Sequence, residues 1–151
     1  MIELLGTAAV IGSGIVAGVF FAVAVSVLPA VQTLPADRYV DLHRKLGEGY
    51  HPVMPLVVTA GVVADLVLIF VADGGTVRAL FGVALLAMVG VQLVSQFGNV
   101  PINKKVHALD PADIPTDWQD PRRPWRSWHR LRTAFALTAL AVNALAVALL
   151  S

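Results

Sequence analysis

The sequence contains no cysteine, which excludes disulfides, thiolate metal sites and cysteine nucleophiles. It is also poor in charge: Asp, Glu, Lys and Arg make up 14% of the chain, against about 25% in soluble domains. Away from their ends, its long apolar runs hold no Lys or Arg and one acid, Asp65. No basic residue precedes the first run, where the chain reads MIELLG, so that run is expected to remain as a span and not to be cleaved as a secretory signal. There is no phosphate loop, dinucleotide fingerprint, internal repeat or nucleic-acid module. His43, His51 and His129 match no metal-ligand spacing, so no metal site is assigned.

What the chain has instead is apolar length. Hydrophobic residues make up 57% of its 151 positions, and the mean hydropathy is +0.75. They gather at residues 7–28, 53–72, 77–96 and 131–150. Each block approaches the ~20 residues that cross about 30 Å of hydrocarbon. A soluble bundle would need a polar stripe on every helix, and residues 137–150 offer none. The expected fold is a single all-α domain, an integral membrane four-helix bundle with a short amphipathic helix between the first and second spans.

Charge then sets the expected topology. Arg38, Arg44 and Lys45 fall in the first connection; Lys104, Lys105, Arg122, Arg123, Arg126 and Arg130 fall in the third, with Arg132 at the mouth of the fourth span. The other side has Arg78 alone. Because basic loops are retained in the cytoplasm, both termini are expected outside and the two long connections inside, in a bacterial-type plasma membrane.

Along the chain, Gly14, Gly18, Ala22 and Ser26 form a four-residue stripe suited to close helix approach, flanked by Phe20 and Phe21. Pro29 is expected to close the first span. Residues 38–46 read as a surface helix ended by Gly47 and Gly49, with His43 on its surface and His107 in solvent. The segment Asn99-Val100-Pro101-Ile102-Asn103 reads as a proline turn flanked by amides. Residues 110–124 read as a loop. Asp65 in the second span and Asn143 in the fourth lie at similar depth and are expected to form a hydrogen-bonded pair.

The chemistry concentrates in Trp125-Arg126-Ser127-Trp128-His129-Arg130-Leu131-Arg132-Thr133. On a helix, Trp125, His129 and Arg132 share one face at i, i+4 and i+7. An aromatic wall, a titratable imidazole and a fixed cation meet there. The same residue types also serve as interfacial anchors, and spacing leaves both readings open. Ser26, Gln32, His43, His51, Gln92, Gln96, Asn99 and Asn103 come to the same depth and could share one vestibule.

The Gly-rich first span with Phe20-Phe21 and Ser26-x-x-Pro29, the Asn99–Asn103 segment, and the Trp125-x-x-Trp128-His129-x-x-Arg132-Thr133 block together resemble the DUF1772 group of anthrone-oxygenase-like membrane proteins. The resemblance implies a membrane enzyme of secondary metabolism that oxidises an anthrone-type polyketide with molecular oxygen. Deprotonation of the substrate gives a delocalised anion that reacts with O2, so the chemistry calls for no cofactor, and nothing in the sequence marks a metal or haem. On this resemblance His129 is the first choice of base and His51 the second. Arg132, Asn99 and Asn103 would hold the oxyanion, Trp125 and Trp128 would pack on the rings, and Gln92 and Phe21 would complete the substrate contacts. The expected partners are the apolar aromatic substrate, O2 and lipid, without nucleic acid; association with further copies is left open. Two other readings stand beside this one: a cyclase or isomerase working by proton transfer in the same pocket, and a non-enzymatic partner or carrier protein.

Overall fold

The computed structural model describes residues 1–150. Among them are five helices and no strand: α1 (Ile2–Gln32), α2 (Ala36–Tyr50), α3 (Val53–Val71), α4 (Gly75–His107) and α5 (Arg122–Ala148). α1, α3, α4 and α5 are each long and apolar enough to cross a membrane, and the chain is an integral membrane protein. α2 is the amphipathic helix between the first two spans.

The interior is filled mainly by small residues. Gly6, Ala9, Ser13 and Ala17 are the buried line of α1, and Ala84, Ala87, Ala136, Ala139 and Ala146 are its counterparts on α4 and α5. This corrects the stripe read from sequence: Gly18, Ala22 and Ser26 are exposed, and the buried line lies on another face. α1 and α3 approach most closely where Gly12 faces Gly61. Without water to drive association, such contact depends on backbone proximity. α3 turns into α4 through Gly74, whose φ of 82° suits glycine, and Arg78 Nε donates to the Ala72 carbonyl at 2.6 Å, satisfying the end of α3.

The basic ends of the spans depart most from the sequence reading. Pro29 does not end α1, and Pro101 does not make a turn in α4. In each case the helix widens into a π segment, Val23–Val27 before Pro29 and Ser95–Asn99 before Pro101, and then continues. Proline has no N–H and its ring presses on the preceding turn; a wider turn just ahead relieves that conflict without breaking the helix. α2 likewise runs through Gly47 and Gly49 to Tyr50. Residues 108–121 form no helix or strand, and α5 starts at Arg122, close to Pro124, where a first helical turn was expected, and ahead of the apolar run that begins at residue 131.

Arg122 ties that start to the end of α1. Its Nη1 donates to the carbonyls of Val31 (3.2 Å), Gln32 (3.4 Å) and Leu34 (2.7 Å), while Nε bonds Asp120 at 2.8 and 2.9 Å. The guanidinium also lies 5.0 Å from the Tyr39 ring centre. One cation therefore satisfies helix-end carbonyls and joins α1, α2 and α5.

Candidate functional site

A cavity of about 630 Å³ opens at the basic end of the bundle. That is within the range of small-molecule sites. α1 contributes Phe20 and Val23, α2 contributes Tyr39 and His43, α3 contributes Met54 and Val58, α4 contributes Val91, Gln92, Ser95 and Asn103, and α5 contributes Trp125, His129 and Arg132. Both π segments help to form its wall, because a widened turn splays the helix where a straight one would fill the space.

Helical spacing brings Trp125, His129 and Arg132 together. The indole of Trp125 and the imidazole of His129 stack, and Phe20 meets His129 edge-on at 5.6 Å. The Arg132 guanidinium carbon sits 4.4 Å from the Phe20 ring centre and 5.5 Å from that of Trp125. Its Nε and Nη2 reach His129 Nδ1 at 3.1 and 3.0 Å, and Nη1 reaches Ser95 Oγ at 3.4 Å. The ion pairs among the described residues are Arg38–Asp37, Lys45–Asp41 and Arg122–Asp120. Arg132 thus borders the cavity as a cation caged by aromatic rings, with no carboxylate partner among those residues.

These contacts fix the state of His129. Its Nε2 lies 2.9 Å from the Phe20 carbonyl, which only accepts, so Nε2 carries the hydrogen. Arginine only donates, so Nδ1 presents its lone pair to Arg132. His129 is fully buried, neutral, and engaged at both nitrogens. This arrangement leaves no lone pair for a substrate proton; it suits a positioning group for Arg132 rather than the base expected from sequence.

A second imidazole is better placed. Asn103 Oδ1 accepts from Trp125 Nε1 at 2.7 Å, which identifies that atom as the oxygen, since indole only donates. His43 Nε2 lies 3.1 Å from the same oxygen and must donate to it, leaving Nδ1 with an unshared pair. Burial holds His43 below the usual histidine value, and neighbouring His107 acts in the same direction, outweighing the Asn103 hydrogen bond. His43 is therefore neutral at pH 7. Burial, reinforced by Asp120, pushes the Tyr39 phenol up to about 12, so it keeps its proton.

Sequence reasoning put His43 on the surface helix and also among the groups that could share a vestibule, and the buried face of α2 brings it to the cavity. The signal was present: Tyr39, His43, Leu46 and Tyr50 recur at helical spacing, and all four line the cavity. His107 is exposed, as expected, but its ring also contacts His43, with centroids 6.3 Å apart.

The other sequence candidates divide. Gln92 and Asn103 line the cavity, and His51 lies exposed at its rim. Asn99 does not line it: fully buried, it donates to the Trp125 carbonyl at 3.1 Å and joins α4 to α5. Trp128 lies against Gly98 outside the cavity, and Phe21 points away from the bundle while Phe20 takes the inner position. Asp65 and Asn143 are both fully buried, but neither Asp65 oxygen nor Asn143 Oδ1 has a hydrogen-bond partner. Asn143 Nδ2 lies 3.4 Å from Ser13 Oγ, and the Asn143 amide is also adjacent to the Asp65 carboxyl, so the two residues expected to pair do meet in the interior. No group of three His, Asp or Glu side chains positioned to hold a metal occurs among the described residues.

Fold and cavity together define a small helical membrane protein with an aromatic-walled chamber at one end. The sequence profile of the anthrone oxygenase family matches residues 45–142, and the chain belongs to that family, DUF1772. The matched region includes His51, Gln92, Asn103, Trp125, His129 and Arg132, while Phe20, Tyr39 and His43 precede it. No curated protein and no solved structure matches the chain.

Proposed function

We propose that this protein is a membrane-embedded oxygenase that oxidises a planar, apolar phenolic ketone of the anthrone type with molecular oxygen. The observation that carries this reading is Arg132: a guanidinium held between Phe20 and Trp125, without a carboxylate partner among the described residues, at the wall of a mainly apolar, aromatic-walled chamber. An uncompensated cation in such surroundings stabilises an anion that forms there, where water does not compete.

In this mechanism the substrate oxygen lies against Arg132 and the rings occupy the Trp125 side of the chamber. His43 Nδ1 removes a proton from the acidic carbon, and the charge delocalises onto the oxygen facing Arg132. The electron-rich anion reduces O2 and couples to it, giving a peroxide that takes the proton back from His43. Loss of the second carbon-bound hydrogen, with cleavage of the O–O bond, leaves a carbonyl and expels hydroxide, protonated to water. The CH2 group becomes C=O, one oxygen atom is retained, and the other leaves as water. The chain's own residues supply a base and an anion cradle; the oxidant is O2. The asymmetry of basic residues supports the cavity facing the cytoplasm and both termini lying outside.

The test is oxygen uptake by purified protein in detergent with emodin anthrone. Uptake above the spontaneous rate, lost in Arg132→Ala and His43→Ala, is expected. Turnover of the substrate without oxygen consumption would replace this reading with an isomerase or cyclase using the same base. Absence of turnover in the unmodified protein would overturn the enzymatic reading.

A further inference from the structure

We propose that the chamber takes its substrate sideways from the lipid, through a slot between α3 and α4 latched by the hydrogen bond from Gln92 to Thr59. The inference rests on the reading above in one respect, that the occupant is a planar aromatic that partitions into membranes.

Much of the rest of the chamber is covered by protein. α2 covers its basic end with Tyr39 and His43, Trp118 from the connection between α4 and α5 lies against Tyr39, and Arg122 fastens the start of α5 to the end of α1. On the α1–α5 side, Phe20, His129 and Trp125 form a continuous wall. The exposed part of the lining falls in two groups: Leu46, Tyr50 and His51 at the end of α2 and the turn into α3, and Pro55, Thr59, Leu93, Gln96 and Phe97 along the junction of α3 with α4. α3 and α4 are in tight contact farther from the basic end, where Met88 fills the space a side chain at Gly61 would need. Towards the basic end both helices line the cavity, with Met54, Val58 and Thr59 on α3 and Val91, Gln92 and Ser95 on α4, and the side-chain hydrogen bond between them is Gln92 Nε2 to Thr59 Oγ1 at 3.2 Å.

The depth and character of this mouth point to lipid rather than water. Thr59 lies six residues past Val53 at the start of α3, about 9 Å along the helix axis. The mouth therefore lies within the span. Its lips include Phe97, 74% exposed, and Leu93, 52% exposed; large apolar side chains at that depth meet acyl chains. A single neutral hydrogen bond between two helices in lipid is weak, so the latch holds the slot closed without locking it. An anthrone-type compound dissolved in the bilayer would then reach Arg132 without crossing water.

The absence of native cysteine makes the slot directly testable. Thr59→Cys and Gln92→Cys are combined in a Trp118→Phe, Trp128→Phe background, so that Trp125 is the sole indole. The protein is reconstituted in phosphatidylcholine vesicles and bridged by a short, reducible bis-methanethiosulfonate. Emodin, an anthraquinone that absorbs indole emission, is added to the vesicles, and quenching of Trp125 is followed in time. Bridging is expected to slow quenching at least tenfold, and a reductant is expected to restore it. Quenching at an unchanged rate after verified bridging overturns lateral access while leaving the chamber's substrate class standing. Absence of Trp125 quenching in the unbridged protein overturns the substrate class, and the slot with it. As a second variant, Thr59→Val removes the latch and is expected to speed quenching severalfold; a slower rate in that folded variant also counts against the slot.

Discussion

The indole of Trp125 lies flat on the imidazole of His129, with ring centres 5.0 Å apart and planes 6° from parallel. The same indole donates to Asn103, whose oxygen also receives His43. Trp125 thus connects the imidazole that supports Arg132 with the one proposed as base. Trp125→Phe retains an aromatic surface and removes the N–H. Oxygen uptake with emodin anthrone is expected to fall about 3–10-fold, the scale of one neutral hydrogen bond, with substrate binding largely retained. Unchanged uptake would show that the Asn103 link does not matter.

Arg132 and His129 should respond differently to conservative changes. Arg132→Ala removes the anion cradle and is expected to lower turnover by about 10²–10³-fold. His129→Asn can still offer an acceptor to Arg132 and is expected to retain more activity than Arg132→Ala. Turnover abolished by His129→Asn, together with loss of the acid limb of the pH profile, would return the base role to His129.

The acid limb is expected to belong to His43. Its folded-state value lies below the ordinary one, near 6.5, so the neutral form prevails at pH 7 and acidification through the lowered value protonates it. Turnover should therefore fall as pH drops through that lowered value. The same sign governs stability: any contribution from keeping His43 neutral is present above about 6.5 and is lost as pH falls through the lowered value. A pH–rate profile of His43→Asn, with residual activity no longer falling on that limb, checks the assignment.

Arg122 carries a structural prediction. Its donors satisfy three carbonyls at the end of α1, and Arg122→Ala is expected to destabilise the protein by about 1.5–3 kcal/mol, as for hydrogen bonds from a charged group. Burial opposes the ionised form of Asp120, but the hydrogen bonds and charge of Arg122 outweigh it and hold the carboxyl below its usual value. The Asp120 contribution should be present above about pH 4 and disappear as pH falls through the lowered value. Thermal melting of the two proteins between pH 3 and 7 measures both effects.

Two glycines separate tight contact from adjustable contact. A Cβ at Gly98 would lie 2.6 Å from the base of the Trp128 ring, whereas one at Gly61 would meet the terminal methyl of Met88 at 2.8 Å. The indole base cannot swing away without moving the whole ring, while a methionine tip can. Gly98→Ala is expected to cost about 1–3 kcal/mol and Gly61→Ala less, as read from melting temperatures in one detergent.

The four spans were legible because each is an apolar run of membrane length, and base-end charge made one end distinct. The Trp125–His129–Arg132 face was legible because helical spacing alone aligns three residues. What spacing could not show was which atoms are already engaged, so His129 looked like a free base. His43 was assigned both to the surface helix and to the shared vestibule because an amphipathic helix beside a membrane presents its apolar side equally well to lipid or to a protein chamber. Pro29 and Pro101 misled for a local reason: each is a strong stop signal, and the widened turns before them are produced by tertiary context that no single residue announces.

Those widened turns also alter what a deletion would mean. An extra residue in a regular helix would advance everything beyond it by about 100° around the axis; the widened turn absorbs that residue, so the inward line of α1 steps five places from Val23 to Leu28. In α1 the outer part is phased for contact with its neighbours, while Leu28 and Val31, beyond Val23–Val27, are phased for the chamber and Arg122. Removing one residue there would leave the composition and hydropathy of the span almost unchanged. It would close the widened turn into an ordinary α-turn, with Leu28 four places after Val23 and still facing inward, but it would take away the splayed backbone that forms part of the chamber wall. In this protein, helix length counted in single residues is a determinant of the site in its own right.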